Sequence, residues 1–199
     1  MTKNRVIIYE EADADSRADV LSVRNGHGHT RVRAVAEPAQ MVDLVTRLVG
    51  EGVDRIELCG AFGAVWHAEA SRVAAGKAEV GAIYYGFESL TSVAAYKARF
   101  EAGEVLSEAF VVLHEGADPE VDRIVRERDD GGRTTFVAVP DAAAAAEVAG
   151  KMAGELQLIE LYGGAGPEVA APVIRAVDTG VPVGVSSWAG AYPGGRGRG

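Results

Sequence analysis

At 199 residues, 48% hydrophobic and 25% charged, the chain can bury a core and is not a disordered segment. Its net charge of −9 repels phosphate backbones and argues against a nucleic-acid binder, and its single cysteine, Cys59, excludes an internal disulfide. The N-terminus holds too short an apolar run for a signal peptide, and no run reaches the roughly 18 apolar residues of a membrane helix, so a cytoplasmic protein without a membrane partner is expected.

A β-rich run over residues 6–10 comes first. The next segment, ADVLSVRNGHGHTRVRAV, contains Asn25-Gly26, a hairpin turn signal. Its later counterpart, IVRERDDGGRTTF, contains Asp130-Gly131. The helical spacing of Val121, Ile124 and Val125, behind Asp118-Pro119, favours a short helix over a hairpin in both places. A helix then starts near Glu37-Pro38 and carries Met41, Leu44, Val45 and Leu48 at i, i+3, i+4 and i+7. The strand IELCGAFG at 56–63 runs into a glycine-rich turn and a second helix, and a last strand covers 80–85. SLTSVAAYKARFEAGEVLS reads as one linking helix.

The chain then repeats itself. IELYGGAG at 159–166 lies 103 residues after IELCGAFG, and the same offset lays Val80-Gly81 on Val183-Gly184. With small gaps, RVIIYEEAD aligns with AFVVLHEGAD at an offset of 105, Val6 on Val111, and RVRAVAEPAQ with TTFVAVPDAA at 104, Val35 on Val139. The expected organisation is a first α/β repeat at 1–88, a linking helix at 89–107, a second repeat at 108–190 and a Gly/Arg tail at 191–199.

Strands alternating with helices imply a parallel sheet with helices outside. Four strands per repeat predict a pseudo-two-fold (βα)8-type barrel made of two half-barrels. The alternative is two flavodoxin-like α/β lobes facing each other across a cleft. Glu57 and Cys59 share one strand face, and Ile56 and Leu58 the other. A carboxylate inside an apolar strand is costly against a helix layer, so the Glu57 face is expected to look into a polar barrel interior.

AFVVLHEGADPE, TTFVAVPD, LIELYGGAGPEVAAPVIRAV and VPVGV, in this order, resemble a family of small bacterial domains of unknown function, whose hallmark is an I-E-L-C-G-G-F-G run followed by a V-P-V-G-V strand. Copy one keeps Cys59 and Phe62 but has Ala61 for the second glycine; copy two keeps both glycines but has Tyr162 and Ala165. The resemblance implies a fused tandem pair that acts as its own pseudo-dimer. It implies no activity.

Glu57 and Glu160 are expected to point into one shared space, where neighbouring carboxylates form an acid–base pair. The alternative is that each accepts hydrogen bonds from backbone or an arginine and fixes the turn. Gly60 and Gly63, and Gly163, Gly164 and Gly166, sit where strand meets helix, and their N–H groups offer an anion site. Cys59 beside the turn is a candidate nucleophile, with packing as the alternative. His114, at the end of the first strand of copy two and aligned with Tyr9, is the best-placed histidine for acid–base work, and Tyr162 is a second candidate acid. Tyr9 is a candidate ligand contact, Trp66 a candidate for the pocket mouth, and Tyr84, Tyr85, Phe87 and Trp188 candidate pocket walls, with packing, a plug that closes the barrel or a lobe interface as the alternative. His27 and His29 lack a defined third metal ligand.

The leading expectation is a cofactor-independent lyase or isomerase acting on a small anionic or carbonyl substrate between the repeats. The alternatives are a non-catalytic small-ligand-binding protein and a hydrolase using Cys59. No cofactor or metal is called for, and the chain is expected as a monomeric pseudo-dimer or a homodimer.

Overall fold

The computed structural model describes residues 3–177 and 180–188; the Gly/Arg tail lies outside them. The first repeat comprises β1 (Lys3–Glu10), β2 (Asp19–Asn25), β3 (Gly28–Val35), α1 (Gln40–Gly50), β4 (Arg55–Leu58), α2 (Gly63–Ala74) and β5 (Glu79–Tyr85). Helix α3 (Leu90–Glu101) leads into β6 (Ser107–Leu113), β7 (Arg123–Glu127), β8 (Arg133–Val139), α4 (Ala142–Met152), β9 (Leu158–Tyr162), α5 (Pro167–Ala176) and β10 (Val183–Trp188).

All ten strands form one sheet in the order β2-β3-β1-β4-β5-β10-β9-β6-β8-β7. Read outward from the β5–β10 junction, the two halves have the same order. That junction is antiparallel, as a two-fold axis between the repeats requires, whereas β3, β1, β4 and β5 run parallel to one another. The sheet curls until its edges approach: Val23 of β2 packs with Ala117 and Ala138, and Ile124 of β7 packs into the core of the first repeat. The architecture is therefore α/β and barrel-like, with five strands per repeat instead of four.

The extra strand is the segment read above as a short helix. Both copies form hairpins, β2–β3 and β7–β8, each antiparallel at a sheet edge. Asn25-Gly26 makes the first turn, and Asn25 holds it by accepting from the His27 N–H at 2.9 Å. The stripe Val121, Ile124, Val125 is overridden because an edge strand completes the backbone bonding of its neighbour.

Strand parity builds the interior. Val6, Ile8, Ile56 and Leu58 pack with the α1 stripe Met41, Leu44, Val45 and Leu48, all fully buried as the periodicity predicts. The alternate residues turn inward, and there Tyr9, Phe110, Phe136 and Tyr162 form a chain of aromatic contacts with ring centroids 4.9–5.3 Å apart. The barrel is filled by side chains. In copy two, Ala109, Val111, Ile159 and Leu161 pack outward against α4 and α5. There Ala145 and Ala149 keep the helices close, and Asp141 caps α4 by accepting from Ala144 N–H at 2.9 Å.

Register also corrects the repeat alignment. Val6 pairs with Ile56 and Ala109 with Ile159, so Val6 is equivalent to Ala109, an offset of 103 in this strand as well. Tyr9 is then equivalent to Val112, and His114 to Glu11.

Candidate functional site

The two central glutamates point inward, as strand alternation demands. Glu57 is 1% exposed and Glu160 2%. Glu57 accepts hydrogen bonds from Gly163 N–H at 2.9 Å, Gly164 N–H at 3.2 Å and the Ser186 hydroxyl. Glu160 accepts from Gly60 N–H at 3.0 Å, the Tyr85 hydroxyl at 2.7 Å and the Tyr162 hydroxyl. Each carboxylate is thus held by the glycine turn of the opposite repeat. The turns are anion sites, as their exposed N–H groups suggest, and the anion each holds is the other repeat's glutamate. Gly163 can serve because its φ is +83° and a Cβ there would lie 2.3 Å from the Leu113 carbonyl oxygen.

Burial pushes the Glu57 carboxyl above the ordinary range, opposed by the Ser186, Gly164 and Gly163 bonds and by Arg5. Burial likewise pushes Glu160 up to about 7, opposed by Tyr162 and Tyr85 and assisted by Glu108. The two carboxylates share no hydrogen-bond partner, and aromatic rings fill the barrel between the repeats. The expected acid–base pair in a shared pocket is therefore not formed; the alternative, a carboxylate fixing a turn, is what the geometry has.

The other predicted residues have structural surroundings too. Cys59 is buried, and burial, then the nearby Glu160, raises its thiol well above the ordinary value, so no accessible thiolate is present. Burial and Glu160 also raise Tyr162, which therefore stays a hydrogen-bond donor. Tyr9 packs in the aromatic chain and donates to Glu11 at 2.9 Å. Gly63 opens α2 and Gly166 caps the start of α5. Trp66 packs against the first core cluster. Tyr84 lies 3.2 Å from His67 Nδ1, while His67 Nε2 lies 3.1 Å from the Val80 carbonyl. Trp188 lies against Gly81 and beneath the Arg55 guanidinium, 4.9 Å from its ring centroid. His29 is engaged by Ser22 and Arg24. Among the described residues, no group of three His, Cys, Asp or Glu is placed to hold a metal ion.

His114 differs from the rest. With Lys3, Arg5, His27, Thr30 and Glu115 it lines a cleft of about 30 Å³ at one end of the barrel. Arg5 is 9% exposed and His114 4%. Arg5 Nη1 donates to the carbonyls of Gly163 at 2.9 Å and Leu113 at 3.2 Å, while its Nε has no partner. Thr30 Oγ1 lies 2.9 Å from His114 Nδ1, and His114 Nε2 has no partner. If the Thr30 hydroxyl donates to Nδ1, its own proton is satisfied and the imidazole proton sits on Nε2; the opposite arrangement leaves two groups unsatisfied instead of one. Burial lowers the His114 pKa, and Arg5 lowers it further, so the ring is neutral near pH 7. Burial also lowers the Arg5 pKa, opposed by Glu57.

Sequence reasoning missed Arg5, Thr30, Lys3 and Glu115 here. The available signal was parity: Arg5, Ile7 and Tyr9 alternate onto the inward face of β1. A buried charge there is as unusual as the glutamates.

The lyase or isomerase expectation is overturned. Both carboxylates that were to carry it are sealed and fully bonded, and the cleft at the barrel end does not include them. Solved structures similar to this chain are named as transport and binding proteins. A carbohydrate transporter from Acidothermus cellulolyticus 11B, in complex with myo-inositol, is similar over 91% of this chain and 73% of its own, at 12% identity and a TM-score of 0.30. An ABC transporter solute binding protein from Clostridium phytofermentas, with bound L-rhamnose, is similar over 87% of this chain and 64% of its own, at 12% identity and a TM-score of 0.33. Likeness that distant assigns no ligand to this chain. No curated protein matches it. The model of a family of unknown function, DUF6506, matches residues 3–98 and again residues 106–191, so the chain belongs to that family and carries two copies of its domain in tandem.

Proposed function

We propose that the protein binds a small molecule without transforming it, and that its site is the cleft at the barrel end bounded by Arg5 and His114. One observation carries this reading: two buried nitrogens, Arg5 Nε and His114 Nε2, belong to side chains lining the same cleft and lack partners. Buried donors are ordinarily satisfied, and leaving one unmade costs about 1–3 kcal/mol; of the three such nitrogens among the described residues, the third being Arg31 Nε, two belong to side chains of this one cleft, which supports a ligand that supplies an acceptor there. The carboxylate at the opening, Glu115, is turned to His27, its Oε2 3.4 Å from Nδ1, and the thiol of Cys59 is buried, which favours binding over turnover. The chain serves as a monomer in this reading, because each repeat already occupies the surface through which a single copy would pair.

A thermal-shift screen of small metabolites, followed by mass spectrometry of the incubated compounds, tests it. A bound ligand raises Tm in a concentration-dependent way by mass action. The expected result is a saturable shift from at least one compound recovered unchanged. A compound that is consumed, or a broad screen with no shift, contradicts the proposal. Light scattering gives one chain per particle if the monomer reading holds.

A further inference from the structure

We infer that the ligand is recognised through an oxyanion, a carboxylate or phosphate group, which enters the cleft between Arg5 and His114 with Lys3 and His27 at its mouth. This rests on the small-ligand reading above and narrows it to a chemical class.

The first ground is the donor set. Arg5 and Lys3 only donate, and the Thr30 bond leaves His114 with Nε2–H as a donor. A neutral sugar hydroxyl asks for an acceptor wherever it finds a donor; an oxyanion asks only for donors. The acceptor at this opening, Glu115, is turned to His27, with Oε2 3.4 Å from Nδ1, and both side chains are largely exposed.

The second ground is the opposite end of the barrel. Register places Glu108 where copy one has Arg5, and Thr134 where it has Thr30. There the charge is fully answered: Glu108 accepts from Arg128 Nη1 at 2.9 Å, Thr134 Oγ1 at 3.0 Å and the Tyr96 hydroxyl at 3.0 Å. The same position in the fold thus closes with an internal anion and its donors in one repeat. In the other it holds a cation with an unpaired nitrogen. Among the described residues no carboxylate hydrogen-bonds Arg5, although Glu57 acts on its charge, whereas its counterpart Glu108 is bonded directly by a cation.

Size and field agree. About 30 Å³ is room for one or two oxygen atoms, so the anionic group enters and the body of the ligand stays outside. On a chain of net charge −9, Lys3 and Arg5 set two cations against the single carboxylate of Glu115 at this opening, a local excess of positive charge that draws anions toward it.

The test is a titration of the full chain, at constant ionic strength with chloride as the balancing salt, using sodium acetate, inorganic phosphate and myo-inositol, followed by Tm and by calorimetry. Saturable binding of acetate or phosphate, with none of myo-inositol, is expected; which anion is tighter separates carboxylate from phosphate recognition. Arg5→Gln is expected to weaken it about tenfold or more. Because Arg5 also bonds two backbone carbonyls, Lys3→Gln provides a second test at an exposed position, with a loss of about threefold for the charge removed, and His27→Gln a third that removes a donor at the mouth. Binding should tighten from pH 8 to pH 6, since an anion beside His114 raises a pKa that burial, and then Arg5 and His27, hold down and Asp122 holds up. Binding of myo-inositol in place of the anions overturns the oxyanion inference and leaves the small-ligand reading standing. Anion binding unchanged in all three variants overturns the assignment to this cleft. No binding by any probe overturns the inference, while the broader screen decides the small-ligand reading separately.

Discussion

Glu57 and Glu160 hold equivalent places in the two repeats, and each closes on the glycine turn of the other. Glu57 takes two backbone N–H groups and one serine hydroxyl; Glu160 takes one backbone N–H and two phenols. The charge bearing on Glu57 is the cation Arg5, and the charge bearing on Glu160 is the anion Glu108. One network therefore favours an ionised carboxylate more than the other does. The same duplication left one barrel end with its charges answered internally and the other with unpaired donors. A fused pair is free to diverge in this way, because each end is encoded separately.

The largest effect expected from breaking this symmetry is that of Glu57→Ala. It strands the Gly163 and Gly164 N–H groups, while the Ser186 hydroxyl keeps the Leu161 carbonyl at 3.2 Å, and should cost about 3–5 kcal/mol, read from the urea unfolding midpoint. Next is a pH dependence that belongs to Glu160. Its folded pKa of about 7 lies above the ordinary 4.5, so between those values the folded state keeps a proton the unfolded chain has released. Stability then falls as pH rises from 4.5 to 7 and levels off above, by up to about 3 kcal/mol. Glu57, also raised, adds a slope of the same sign, so the share lost in Glu160→Gln measures Glu160 alone.

A smaller effect tests the junction. Gly81 and Gly184 are equivalent, and each lies under the other repeat's aromatic, Trp188 and Tyr85 respectively. A Cβ on Gly184 would sit 2.4 Å from Ile83 Cγ2 and 2.9 Å from the Tyr85 ring. Gly184→Ala should cost about 1–3 kcal/mol by overpacking, seen as a lower Tm. The smallest is Tyr85→Phe, which removes one donor to Glu160 at a cost of about 1 kcal/mol near pH 8 and less near pH 5, where the carboxyl is protonated. Equal effects at both pH values would show that Tyr85 does not discriminate the charge on Glu160.

Much of this was legible in the residues. The duplicated IEL run marked the repeat, and strand parity marked Glu57 and Glu160 as inward-facing. The glycine turns marked anion sites because their N–H groups need partners. The residues did not show that the anion belongs to the other repeat, since that contact joins positions 106 residues apart through a sheet junction no local pattern encodes. The hairpins were missed because helical spacing in a short segment outweighed Asn25-Gly26. That error hid the cleft: only the β2–β3 turn brings His27 to Glu115 and Asn25 to the Glu115 carbonyl, beside His114. The offset of 105 misaligned His114 with Tyr9, so its true counterpart, Glu11, gave no hint of an asymmetric end.

The most direct test of where this protein binds is side-chain ¹⁵N NMR of its four histidines during titration with inorganic phosphate and, separately, acetate. The account predicts that the His114 Nε2 resonance moves in a saturable way with at least one anion, with a smaller movement at His27, and that, if they fold, Glu160→Gln binds as before and Glu57→Gln, which removes the carboxylate acting on Arg5, binds at least as tightly. A still His114 resonance with binding detected calorimetrically, or binding abolished in a folded glutamate variant, would contradict it and return the site to the barrel interior.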